Sequence, residues 1–273
     1  MQKITPKNVY QVIEKVSRRA YQLNPLNLVL YRYFHETKND FLLYDSADPA
    51  VLVFPSKHPA NWANQKIWCY ASELDKLKTQ VQIKNHTLDS HEYFYTTQNY
   101  IDFPGPDFKK MRKELTFFQK KYNYRLVEKY PQDLTQEFLH EWHEQNRSKK
   151  SGQTLIDFQN EYQHSLDVLR VMDHVPTSKA MYVLVDDKLA GLAIYTPLYP
   201  DFWVGVVQKV NNKFNGIGKL LYHEKAKRMQ KHKFFSSGED AGDPVLARHK
   251  KSLRPTYIEQ WALAETGGPI KIC

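Results

Sequence analysis

The chain has 273 residues, room for one large domain or two of ordinary size, and its 41 % hydrophobic content with 18 Tyr, 14 Phe and 5 Trp excludes a disordered polymer. Its formal charge of +9 fits a plain soluble basic protein, or a protein with an anionic partner: nucleic acid, CoA phosphates or an acidic lipid surface. Charge alone does not choose among them. The two cysteines, Cys69 and Cys273, have neither metal-ligand nor disulfide spacing, so no metal site is expected and a reducing, cytoplasmic setting is. Met1-Gln-Lys-Ile-Thr-Pro6 lacks the apolar core of a signal peptide. No apolar stretch approaches the roughly 20 residues of a membrane helix.

In chain order, Val9, Val12, Ile13 and Val16 predict a helix over 8–24 that ends at Asn24-Pro25, and a short helix follows over 28–35. Strands are expected at 41–44 and 51–54, around a Ser-Ala-Asp-Pro turn, and at 66–70. Ser72 reads as the N-cap of a helix reaching Lys78, before two further strands at 81–83 and 92–95. Phe103-Pro-Gly-Pro106 is a turn, and Asp107 reads as the N-cap of a helix over 108–122. That helix carries Lys109, Lys110, Arg112, Lys113, Lys120 and Lys121 against Glu114, with Phe108, Met111, Leu115 and Phe118 at helical spacing. It is either a solvated basic face or a basic wall for an anionic substrate.

A strand at 124–127 and helices over 133–147 and 154–171 come next. His140-Glu-Trp-His143 has its histidines three apart, where a zinc-protease helix needs four, so it is not read as a ligand pair. Ala180–Val185 and Leu189–Tyr195 flank Asp186-Asp187-Lys188 as an antiparallel hairpin. A strand at 202–207 leads to Lys213-Phe-Asn-Gly216-Ile-Gly218 and a helix over 219–230. A strand, a glycine turn and a helix present backbone N–H groups that suit a phosphate, although Asn-Gly-x-Gly is also an ordinary turn. A strand at 233–235 ends in a loop bearing Glu239 and Asp240. Asp243-Pro244 caps a helix carrying Arg248, Lys250 and Lys251, and a strand closes the chain at 257–263.

Lys213-Phe-Asn-Gly216-Ile-Gly218 resembles the acyl-CoA motif of the GNAT acyltransferase superfamily, with Lys in the place of Arg or Gln. A second resemblance is more specific. Asp240, Gly242, Leu246, Lys250, Ser252 and Pro255 match without a gap the C-terminal motif of the DUF2156 family, which includes the catalytic domain of phosphatidylglycerol lysyltransferases. Arg248 stands where the family has Lys, Ala247 where it has Arg, and Leu253 where it has Tyr. Pro104, Gly105, Phe108 in a Tyr position, Arg112 and Phe118 match the family's second motif, far upstream.

The resemblance implies an α+β fold of two GNAT-like halves, 1–103 and 124–273, with mixed, mostly antiparallel sheets, joined by a basic helix within 104–123. A tunnel or cleft would run beside that helix. The better-known members move an aminoacyl group from aminoacyl-tRNA to a lipid hydroxyl; no flippase portion is expected here. Attack on an activated ester or thioester needs a base, a polarised carbonyl and a hold on the anionic donor. On this reading Glu239 or Asp240 serves as base or holds the acceptor amine. Lys213, Gly216 and Gly218 hold the phosphates of acyl-CoA or tRNA, and Arg112, Arg248 and Lys250 line the path for tRNA or an anionic lipid. Asp240 suits a loop-ordering carboxylate equally well. A plain acetyl-CoA-dependent acetyltransferase and a non-catalytic RNA-binding relative are the alternatives.

Overall fold

The computed structural model describes residues 2–3, 43–44, 52–53, 66–75, 78, 82–148, 152–174, 178–199 and 201–266. The helices expected over 8–24 and 28–35 lie outside these residues. The strands are β1 (Gln2–Lys3), β2 (Leu43–Tyr44), β3 (Leu52–Val53), β4 (Lys66–Tyr70), β5 (Ile83–Thr96), β6 (Tyr124–Val127), β7 (Lys179–Val185), β8 (Lys188–Tyr199), β9 (Phe202–Val210), β10 (Phe234–Glu239) and β11 (Tyr257–Thr266). The helices are α1 (Thr97–Asp102), α2 (Lys109–Lys121), α3 (Gln132–Arg147), α4 (Gly152–Val171), α5 (Ile217–Arg228) and α6 (Pro244–Ser252). The class is mixed α+β with mostly antiparallel pairing.

Two compact units form. The first takes Met1–Phe94, Gly238–Leu253 and Tyr257–Cys273, and the second takes Tyr95–Ser237 and Arg254–Thr256. In the first unit, β1, β2 and β3 make a small antiparallel sheet. β11 lies between β4 and β5 and is antiparallel to both. The expectation of a separate sheet for each linear half is therefore corrected: the last strand of the chain pairs with strands of the first hundred residues. Aromatic pairs hold this pairing. Trp261 packs on Tyr70 at 4.3 Å, and Tyr257 stacks on Phe94 at 4.4 Å. A register shift between Gln260 and Ala262 interrupts the β11–β5 ladder opposite Leu88–His91.

β5 is one strand of 14 residues, where two short ones were expected. Its N-terminal residues 84–89 are all exposed, so the periodicity of a half-buried strand fails there although the backbone pairing continues. Ser72 is not a helix cap. It lies in a 3-10 turn (Ala71–Glu73), and its hydroxyl donates to Glu259 at 3.0 Å.

In the second unit, β9, β8, β7 and β6 follow one another as antiparallel neighbours. The β7–β8 hairpin turns at Asp186 and Asp187, both with positive φ, as a tight two-residue turn requires. β10 runs parallel to β9, pairing Phe234–Ser236 with Phe202–Val204. That direction needs a crossover, and α5 supplies it. Tyr100 centres the core, with Tyr95, Phe103, Phe108, Tyr222 and Phe235 each within 6.0 Å between ring centroids. Tyr100 belongs to α1, a six-residue helix too short for its periodicity to be read in advance. Lys225 of α5 is fully buried. Its ammonium donates to Gln208 at 2.7 Å and fits because position 205 is glycine, whose added Cβ would lie 3.3 Å away.

α2 starts one residue later than expected, and Asp107 does not cap it. Phe108 stands at the N-cap without a side-chain bond, while Asp107 lies 3.8 Å from Arg254.

Candidate functional site

The first unit gathers charged side chains where β10 ends and α6 begins. Asp243 caps α6 by accepting from the N–H groups of Val245 at 2.7 Å and Leu246 at 3.4 Å, with Pro244 in the first helical position. Between Glu239 and that cap the chain turns through Ala241 and Gly242, both with positive φ. Gly adopts such a φ freely. Ala pays a strain of about 1 kcal/mol or more, which the surrounding bonds must hold in place.

Asp240 supplies those bonds. It is buried, and its carboxylate accepts from the Tyr93 hydroxyl at 2.7 Å, the His91 N–H at 3.0 Å and the Gly242 N–H at 3.1 Å. Its own N–H donates to the His91 carbonyl at 2.9 Å, and the His91 ring lies 3.7 Å from the carboxylate. Burial alone would raise its pKa. The donors from Tyr93, His91 and Gly242 outweigh burial and hold the carboxyl below the usual aspartate range. Burial, and then the same contact, push the Tyr93 hydroxyl upward.

Glu239 sits in the opposite condition. It is half-buried and accepts a hydrogen bond from Ser90. Burial pushes its pKa up, Ser90 and Lys250 pull against that, and Asp89 and Asp240 add to the rise; the net direction is up. Lys250 reaches back from α6, buried, and donates to the Gly238 carbonyl at 2.8 Å. Neighbouring carboxylates thus have pKa values driven in opposite directions, Asp240 down and Glu239 up.

Of the sequence-predicted residues, the first unit brings together Glu239, Asp240 and Lys250. Arg248 is exposed on α6 and makes no ion pair with Glu239 among the described residues. The others belong to the second unit. Arg112 donates to the carbonyls of Phe103 and Gly105, the latter at 2.8 Å, tying the turn that precedes α2. Lys213 is exposed, and its N–H donates to the Asn211 side chain at 3.1 Å. Gly216 is the N-cap of α5 with φ +94°, and an added Cβ would meet the Glu114 carbonyl of α2 at 2.2 Å. Close packing on α2 is thus reason enough for glycine at 216. Gly218 has nothing within 4 Å of where its Cβ would be.

Ser90, His91, Glu92 and Tyr93 were missed. Glu92 is buried and accepts from the Tyr70 hydroxyl at 2.8 Å. The available signal was a polar pair, Ser90 and Glu92, alternating with aromatics in a strand. His143, set aside as a ligand, stacks on Tyr162 at 4.4 Å and on Phe158 at 5.1 Å, with its Nδ1 3.1 Å from Glu144. Among the described residues, no helix is long and apolar enough to cross a membrane, and no group of three or more His, Cys, Asp or Glu is placed to hold a metal ion.

The family described as Phosphatidylglycerol lysyltransferase, C-terminal, matches residues 81–264. The chain belongs to this family. The matched span holds every candidate side chain above except Tyr70. No curated protein matches. Three solved structures share the fold of this lysyltransferase-family chain. A conserved protein of unknown function from Bacteroides thetaiotaomicron is 16 % identical with a TM-score of 0.78, covering 97 % of this chain and 98 % of that one. The structure of L-PGS from Bacillus licheniformis is 10 % identical, TM-score 0.60, covering 100 % and 94 %. The C-terminal DUF2156 domain of a protein from Agrobacterium fabrum assigned as a lysylphosphatidylglycerol synthetase is 10 % identical, TM-score 0.59, covering 95 % and 92 %. Family membership is consistent with acyl or aminoacyl transfer.

Proposed function

We propose that this chain transfers an acyl or aminoacyl group from an activated donor, aminoacyl-tRNA or acyl-CoA, to a hydroxyl or amine of a lipid or small molecule, with Glu239 as general base. The observation that carries this reading is the divergence of Glu239 and Asp240. A base must hold a proton reversibly near working pH, and a carboxylate lifted by burial does this better than one pinned by three donors. Glu239 takes the proton of the acceptor O–H or N–H as the new bond forms at the acyl carbon. The ester or thioester bond breaks, and the leaving alkoxide or thiolate takes that proton from Glu239 and departs as the hydroxyl or thiol. Asp240 fixes the loop, and Lys250 moderates the rise in the Glu239 pKa. With a lipid acceptor, the protein works at the membrane surface. The tandem GNAT reading rests on the family resemblance and on the element order of the two halves, and the strand, glycine turn and helix of β9 and α5 support it for the C-terminal half alone.

The basic helix α2 favours a phosphate-rich donor, hence tRNA over acyl-CoA. Titrations of variants with tRNA and with acetyl-CoA test this choice. Lys109 and Lys110 are exposed, so replacing both by Ala leaves the fold intact and should weaken tRNA binding and lower its salt slope by about one per lost contact. Arg112 is less suitable, because its loss also frees the Phe103–Gly105 turn. Gly218 favours the acetyl-CoA reading, since the open space around it leaves room for close approach to the backbone. Gly218→Val should abolish acetyl-CoA binding if that is the donor and leave tRNA binding alone. A Lys109/Lys110 double variant that binds tRNA as the wild type does, at every salt concentration, rules out the tRNA donor.

A further inference from the structure

α2 carries more than charge. Its inner side is buried through Met111, Leu115 and Phe118, yet the adjacent Phe117 is 40 % exposed. Arg112, Lys113, Thr116, Phe117, Lys120 and Lys121 line a shallow depression of about 720 Å³. The Lys121 ammonium lies over the Phe117 ring at 5.1 Å and over the Tyr122 ring at 5.5 Å, so ring and charge are held together. Glu114, the only acidic residue of the helix, points to Lys110 at 3.8 Å and does not line the depression. The Arg112 guanidinium is bound by backbone carbonyls, which leave its charge uncancelled. From the Arg112–Lys113 pair to the Lys120–Lys121 pair the helix rises roughly 12 Å, with the ring between.

We propose that this face binds single-stranded RNA, with an unpaired base stacked on Phe117 and flanking phosphates held by the two basic pairs. What sets Phe117 apart from other exposed apolar side chains is its place between two basic pairs, in the wall of the depression. Membrane insertion needs a continuous apolar stripe, and the stripe of α2 is already buried. Duplex RNA offers phosphates but keeps its bases stacked on one another. A single strand uses both the ring and the charges. The inference deepens the transferase reading by naming the part of an RNA donor that this helix contacts, and it rests on that reading only for the donor's identity.

The test is fluorescence anisotropy with an unacylated, unstructured RNA of about 12 nucleotides, a duplex of the same composition and vesicles of phosphatidylglycerol. Phe117→Ala should weaken single-strand binding about tenfold, Phe117→Trp should retain it, and duplex binding should not change. Lys120→Ala with Lys121→Ala should lower the salt slope by more than one unit. Circular dichroism of each variant shows that the fold is kept. Phe117→Ala binding the single strand like the wild type overturns the proposal, as does binding to vesicles without binding to the single strand. The probe carries no acyl group, so this readout stands or falls apart from transfer activity. Single-strand binding without any transfer would count against the proposed function alone.

Discussion

Glu239 and Asp240 are adjacent in sequence and differ in what folding does to them. Asp240 has a lowered pKa in the folded state, so its contribution is complete above the unfolded value of about 3.9 and is lost as pH falls through the folded value. Glu239 has a raised pKa, so its contribution is complete below about 4.3 and is lost as pH rises through the folded value. At neutral pH the ionised Glu239 therefore works against folding. Asp240→Ala strands three donors and should cost ~3 kcal/mol or more in urea unfolding. Glu239→Gln still accepts from Ser90 and should be neutral or stabilising at pH 7. If kcat/KM can be followed, its acid limb should lie above the ordinary glutamate range in the wild type and vanish in Glu239→Gln. Equal destabilisation by both substitutions would mean that both carboxylates are structural.

At the scale of elements, the two glycines of the α5 turn separate packing from ligand approach. Gly216→Ala needs positive φ and drives a Cβ into the Glu114 carbonyl, so it should cost at least ~2 kcal/mol. Gly218→Ala lies inside α5 with open space around it and should stabilise by up to ~1 kcal/mol. Thermal unfolding of the pair checks both signs. Much of this level was legible in the sequence. The β7–β8 hairpin, α2 and the Asp243-Pro244 start of α6 follow local rules: apolar β-forming runs around a polar turn, helical spacing and capping. The polar half of β5 was not legible, because its order comes from pairing with β11, 174 to 180 residues away. The site was legible only in part for the same reason. Asp240 and Glu239 stood out in the loop motif, whereas Ser90 and Tyr93 become site residues through bonds that span 149 and 147 residues. Gly216 was assigned to a phosphate, and its closest neighbour is the backbone of α2.

At the scale of the whole molecule, the proposed function joins the charge of +9, the exposed lysines of α2 and the raised pKa of Glu239: on that proposal a polyanionic donor is held while an acceptor is deprotonated. Binding of an RNA donor should then fall steeply with salt, and a neutral acceptor should show no such dependence. The most direct measurement is transfer itself. The protein is mixed with tRNA charged with labelled amino acids, or with labelled acetyl-CoA, in the presence of phosphatidylglycerol vesicles and small amines, and label is followed into the acceptor. The account predicts transfer by the wild type and a loss of about 10²–10⁴-fold in Glu239→Gln, with RNA binding unchanged. Transfer by Glu239→Gln at the wild-type rate, or RNA binding with no transfer from either donor, would contradict it.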